Sequence, residues 1–217
     1  MILPSILSAS HLRLYENLAP LAGVAPFLHI DLEDGVFVPN LSFGPKVIEE
    51  IYRTFGFSLD VHYMVQDPQR YIDIFSSIPQ KWVSYHYETG IAPSELSLPE
   101  GARVGLAVNP DTRRIPDKLL ATLDFVVVMG VYPGFGGAPF EEVTYDNVAW
   151  YDRRRTTHEH TYDIIVDGAV SRDNILGLLQ QGANHFVVGS GIFRHDPLKA
   201  YTELTTLCDN YDGHKRT

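Results

Sequence analysis

Cysteine is almost missing from this chain: Cys208 is the only one in 217 residues. That excludes a disulfide within the sequence and a zinc cage made of thiolates. Positive charge is scarce as well. Seventeen Lys and Arg face 27 Asp and Glu, a formal net charge of -10, and no basic cluster runs longer than Arg153–Arg155. A nucleic-acid partner is therefore not expected. The same imbalance opposes long-range attraction of phosphorylated metabolites, so any phosphate site must be local and made of backbone N–H groups. No apolar run approaches the ~20 residues of a membrane span. The opening "MILPSILSAS" has no basic n-region and contains a proline, so it reads as a first strand rather than a signal peptide. The expectation is a soluble cytoplasmic protein with no membrane partner.

What the sequence does have is alternation. Short apolar or alternating runs fall at 2–7, 27–33, 58–65, 82–88, 103–109, 123–129, 162–167 and 185–189. Helix-like stretches lie between most of them. Residues 10–22 carry Leu12, Leu14, Leu18 and Leu21, and 44–55 place Val47, Ile48, Ile51 and Tyr52 at helical spacing. The helix at 67–76 has Asp67 as N-cap and Pro68 in the first helical position. The one at 171–181 opens at Ser171 and stops at Gly182. Residues 90–100 hold two prolines and leave little room for a helix. Strands alternating with helices predict a parallel sheet with crossover helices. Eight units of about 27 residues suit a closed (β/α)8 TIM barrel in one domain over 1–217. An open doubly wound sheet is the rival, but the first strand-to-helix turn lacks a glycine-rich dinucleotide fingerprint.

Barrel enzymes place their chemistry at the C-terminal ends of the strands. In "FLHIDLEDGVFVPN", side chains two apart share a face of the strand, so His29, Asp31 and Glu33 point the same way. Strand three carries His62 and Met64, strand four His86 and Glu88, strand five ends at Asn109 and strand seven at Asp167. Burying so many ionisable groups unpaired costs several kcal/mol each. A metal ion would remove that cost. His29, His62, Asp31 and Asp167 make a mixed nitrogen and oxygen set, suited to Zn²⁺, Fe²⁺, Mn²⁺ or Co²⁺ better than to Mg²⁺ or Ca²⁺. The bland alternative is a hydrogen-bonded network at the barrel mouth.

Two glycine-bearing stretches complete the pattern. "VMGVYPGFGGAPF", 128–140, would let backbone N–H groups meet an anion or let a loop close over a ligand. "VDGAV", 166–170, and "VVGSGIF", 187–193, follow strands seven and eight, the usual phosphate position of such barrels. The stretch 152–160, "DRRRTTHEH", reads as an exposed helix end and loop, and the tail "CDNYDGHKRT" as frayed beyond the last helix.

Taken together, "PSILSAS" (4–10), "HIDLEDGVFVPNLSFGP" (29–45), "DVHYMVQDP" (60–68), "YHYET" (85–89), "VNPDT" (108–112), "VMGVYPGFGG" (128–137), "VDGAV" (166–170) and "VGSGIF" (188–193) resemble the ribulose-phosphate 3-epimerase family, in the family's order. The resemblance implies that His29, Asp31, His62 and Asp167 hold one divalent metal, and that Asp31 and Asp167 are the acid/base pair. It also implies that Ser5 and His62 touch the sugar. Gly134, Phe135, Gly136 and Gly137 would bind substrate, with Gly168, Ala169, Gly189 and Ser190 around its phosphate. The expected activity is epimerisation of a ketose phosphate, first D-ribulose 5-phosphate to D-xylulose 5-phosphate. Family members are commonly homo-oligomers.

Three positions depart from the family's pattern. Glu33 stands where a methionine is usual, Ala169 replaces the second glycine of "VDGG", and Ala138 replaces a glutamine. Glu33 thus becomes a candidate specificity position. It keeps open a second substrate, such as allulose 6-phosphate, and a non-catalytic sugar-phosphate-binding barrel is the reading from another class.

Overall fold

The computed structural model describes residues 1–112, 114–134 and 137–215, side chains from 212 onward excepted. The eight strands are β1 (Ile2–Pro4), β2 (Phe27–Glu33), β3 (Ser58–Met64), β4 (Trp82–His86), β5 (Arg103–Val108), β6 (Phe125–Met129), β7 (Asp163–Asp167) and β8 (His185–Val188). They run parallel in the order β1-β8-β7-β6-β5-β4-β3-β2. A bridge between Ser5 and His29 brings β1 against β2 and closes the ring. This is the expected (β/α)8 barrel.

The helices are α1 (Leu14–Leu18), α2 (Pro45–Phe55), α3 (Pro68–Ile74), α4 (Asp117–Leu120), α5 (Val143–Thr157), α6 (Ile175–Gln180), α7 (Ser190–Phe193) and α8 (Pro197–Lys215). Asp67 caps α3 as read from sequence, its carboxylate accepting from the Arg70 N–H at 3.1 Å. Between β4 and β5 the described chain forms only short 3-10 turns, in keeping with the two prolines there. Among the described residues no helix is long and apolar enough to cross a membrane.

Several boundaries differ from expectation, each for a local reason. β1 stops at Pro4 because the Ser5 hydroxyl accepts from the Leu7 N–H at 3.4 Å and turns the chain into a 3-10 helix. β4 stops at His86 because Tyr87–Thr89 coil up against the left-handed Gly90. Ser171 does not open α6: Asp173 and Asn174 still lie in a turn, and the helix starts at Ile175. The tail expected to fray continues α8 as far as Lys215, with Tyr201, Leu204 and Cys208 buried at helical spacing. The stretch 152–160 behaves as expected, finishing α5 and entering a loop.

Two apolar masses hold the barrel. One lies between strands and helices and includes Ile30, Val61, Tyr63, Val126, Ile164 and Phe186. The other fills the bore, where Leu3, Phe125, Val127, Ile165 and Val187 form a dry floor beneath the polar residues. At the opposite end of the strands, Asp163 accepts from Arg103 at 2.8 Å and faces His185 at 3.4 Å. Burial alone would raise its pKa, but these two partners hold it down at about 2. A carboxylate lowered on folding stabilises the fold above its unfolded pKa and loses that contribution as pH falls towards the folded value. We therefore expect Asp163→Asn to cost about 1–2 kcal/mol at pH 7, allowing for partial exposure. The gap should narrow below about pH 4 in urea titrations. A gap constant with pH would remove the ion-pair explanation.

Candidate active site

The strand register assembles the site. β2 and β3 pair His29 with Asp60, Asp31 with His62 and Glu33 with Met64, so each rung carries two inward side chains. β7 brings Asp167 beside Met129 of β6. The loop after β2 folds back to hold its own strand end. Asp34 accepts from the N–H groups of Val36 and Phe37 at 2.8 Å each, which sets the turn at Gly35. The Ser42 hydroxyl donates to the Asp31 carbonyl at 2.6 Å and accepts from the Glu33 N–H at 3.0 Å.

His29, Asp31, His62 and Asp167 converge, all buried, with one donor atom of each within 4.8 Å of the others. His29 Nε2 is 3.2 Å from Asp31 and 3.5 Å from Asp167, while His62 Nδ1 is 3.1 Å from Asp167 and 3.7 Å from Asp31. Ligands ~2.1 Å from a tetrahedral cation stand ~3.4 Å from one another. These four separations fit that requirement. So does the support around the set. Asp60 lies 2.7 Å from His29 Nδ1, fixing the proton there and leaving Nε2 for the cluster. The Ser5 hydroxyl donates to Asp31 Oδ2 at 2.6 Å, leaving Oδ1 for the cluster.

The electrostatics point the same way. Burial should lower both histidines, yet the carboxylates around them win: His29 is raised well above its usual value and His62 to about 9. Burial should raise Asp31, but the His29 charge holds it low. Asp167 is pushed up by burial and by Asp31, and hydrogen bonds from both imidazoles bring it back down. Without a cation, imidazolium protons neutralise the two carboxylates. A divalent ion can take over that positive charge.

Above the cluster opens a cavity of about 360 Å³. Asp31, Asp167, Glu33, Met64 and Met129 line its depth, and Ser5, Gly134, Gly137, Gly168, Ala169, Gly189 and Ser190 line its walls and rim. Phe135 and Gly136 lie outside the described residues. His29 and His62 sit beneath this lining rather than on it. Gly130 and Gly168 let the loops after β6 and β7 touch: a Cβ on Gly130 would lie 2.1 Å from the Gly168 carbonyl oxygen, and Gly168 has φ +106. The next residue, Ala169, also takes a positive φ of 50, at a cost of ~1 kcal/mol that glycine would avoid.

Other polar strand ends fall outside the cluster. His86 stacks on the His62 ring with centroids 5.0 Å apart, and burial lowers its pKa. Glu88 faces His86 Nδ1 at 3.2 Å with one oxygen, while the other accepts from the Asn109 N–H at 2.7 Å and from Thr112. Glu33 is different. Asn40 donates to its Oε2 at 2.8 Å, while Oε1 is buried without a partner among the described residues. Burial and the nearby Asp31 charge raise its pKa to about 7. Two site residues escaped sequence reasoning. Asp60 shares the inward face of β3 with His62, so alternation alone could have found it. Arg194, on the cavity rim, had no such signal.

The sequence pattern described as the ribulose-phosphate 3 epimerase family matches residues 1–193. The chain belongs to the ribulose-phosphate 3-epimerase family. A ribulose-phosphate 3-epimerase of Escherichia coli strain K12 is 37% identical over 202 residues, covering 89% of this chain and 88% of that protein. One from Aquifex aeolicus strain VF5 is 32% identical over 207 residues, 93% of each chain. Among solved structures, an orotidine 5'-phosphate decarboxylase from Pyrococcus horikoshii OT3 superposes with a TM-score of 0.65 at 12% identity, covering 95% of this chain and 98% of the other. That likeness speaks for the barrel alone. Family membership agrees with the eight-stranded fold and with the buried His/Asp cluster, whose donors suit a divalent metal.

Proposed function

We propose that this protein inverts carbon 3 of a phosphorylated 2-ketose, with D-ribulose 5-phosphate to D-xylulose 5-phosphate the first pair to test. The observation that carries the reading is the placement of Asp31 and Asp167. They stand on β2 and β7, share the same two histidines and both line the cavity. His29, Asp31, His62 and Asp167 are the residues that would hold the metal, whose chemistry is to stabilise negative charge developing on neighbouring oxygens. One aspartate takes the proton from carbon 3 and the other returns a proton to the opposite face. The two carboxyl groups exchange protonation states, and the reverse direction restores them. Ser5 steadies Asp31 through its 2.6 Å hydrogen bond. The dry floor of the bore and the lid-like approach of Gly134 to Val38 and Pro39 keep water from the carbanionic stage. The test is a panel of five- and six-carbon ketose phosphates in deuterated water. Exchange at C3 with net epimerisation supports the reading, and a flat result across the panel overturns it.

A second substrate is favoured by one feature, the partnerless Oε1 of Glu33 in the cavity wall. Allulose 6-phosphate carries one hydroxyl more than ribulose 5-phosphate, and a turn of the Glu33 carboxyl towards the cavity would let that group pair with the oxygen, whose burial without a partner costs about 1–3 kcal/mol. Glu33→Met is expected to move the ratio of kcat/KM values towards the pentulose phosphate by ~10-fold or more. An unchanged ratio would reduce Glu33 to a wall residue.

A further inference from the structure

The histidines or a cation balance Asp31 and Asp167 at the depth of the cavity, yet the proposed substrate carries a phosphate at its other end. Backbone N–H groups at the rim supply only partial charges there. The lining includes one full, permanent positive charge, and it belongs to Arg194. This residue follows α7 at the rim, and its side chain reaches back across the mouth. A Cβ built on Gly137, in the loop after β6, would lie 3.9 Å from an Arg194 terminal nitrogen. The guanidinium therefore spans the opening above the β7 loop, where Gly168, Ala169 and Ser171 also line the cavity.

Its position sets it apart more than its lack of a partner: among the described residues Arg70 and Arg153 are also unpaired, but neither lines the cavity. Arg13, Arg53, Arg103, Arg154, Arg155 and Arg172 each pair with a carboxylate. In a chain so rich in acids that outcome is easy to reach. Among the described residues, Arg194 has no ion pair or hydrogen bond through its guanidinium, although it faces the cavity. A planar fork left open there suits an anion with several equivalent oxygens.

We propose that Arg194 is a side-chain ligand for the substrate's phosphate, closing over it from the β8 side while backbone groups of the β7 and β8 loops take its other oxygens. The inference rests on the ketose-phosphate reading and gives it a directional consequence. Fixing the phosphate at the rim sends the carbon chain down towards the aspartates. Substrates that differ in length between phosphate and carbon 3 will then present different carbons to them.

The test uses the metal-loaded protein with Arg194→Ala and Arg194→Gln, the second keeping bulk without charge, and inorganic phosphate as the probe. Calorimetry at low salt should show phosphate affinity falling ~10- to 100-fold in both variants, with Arg194→Lys recovering part of it. In turnover, the loss should fall on KM more than on kcat, because the contact exists in ground and transition states alike. Equal phosphate affinity in wild type and variants, or none in any of them, overturns the assignment. If no ketose phosphate is turned over but phosphate affinity still drops in the variants, the epimerase reading fails and the Arg194 site stands. Epimerisation with unmoved KM and phosphate affinity has the opposite meaning.

Discussion

Asp31→Asn and Asp167→Asn should each lower kcat by about 10³-fold or more while leaving the barrel folded, since positioned acid/base groups contribute roughly 10²–10⁴. The amide keeps the shape of the carboxylate but cannot take a proton. The two variants should also fail in different ways. A carbon-bound proton is removed by one face and restored by the other, so a variant retaining the active base can still exchange the C3 hydrogen of one epimer with solvent. Single-turnover exchange in deuterated water, run from each epimer, reads this directly. Each variant should retain more exchange from one epimer than from the other, with opposite preferences. Rates like wild type in either protein would remove that aspartate from the chemistry. Circular dichroism guards against loss through misfolding. Asp31 needs the closer check, since Ser5 donates to it at 2.6 Å and His29 pairs with it at 3.2 Å.

Stripping the protein with a chelator should abolish turnover, and adding back Zn²⁺, Fe²⁺, Mn²⁺ or Co²⁺ should restore it to differing extents. The loss is expected to exceed 10³-fold, because a Lewis acid is worth several kcal/mol at a developing oxyanion. Reloading should raise the melting temperature, as binding at 1,000 times Kd adds about 4 kcal/mol. The pH dependence has a definite sign. In the metal-free protein His62 holds its proton up to about pH 9 and His29 is raised as well, so a cation must displace protons to bind. Affinity should therefore weaken as pH falls below about 9, with proton release visible in buffers of different ionisation heat. Full activity after exhaustive chelation would sink the metal assignment.

The legible parts of this protein were those governed by a simple period. Alternation in β2 put His29, Asp31 and Glu33 on one face, and β2–β3 pairing makes that same face the wall of the site. The crossover pattern likewise led to the barrel. Ends of elements were harder, because capping decides them. Ser5 turning the chain after Pro4 is a side-chain event that apolar periodicity does not encode. The length of α8 came from burial of Tyr201, Leu204 and Cys208, which depends on what lies opposite them. Asp60 was readable and overlooked: it is two residues from His62 on the same strand. Arg194 was not readable, since its reach to Gly137 depends on the side-chain path between two loops distant in sequence. The expectation of a phosphate site made of backbone alone therefore did not consider it.

The four clustered side chains all rise from strands, whereas Ala138, Ala169 and Arg194 stand on connecting segments above them. On the proposed reading, proton handling is built into the staves of the barrel, and the contour presented to the rest of the sugar is written in separate stretches of chain. Exchanging those stretches between relatives should retarget the catalyst without rebuilding it. Glu33 is the exception: it sits at the tip of a stave, so changing it alters the fit of the guest and the field around the reaction together.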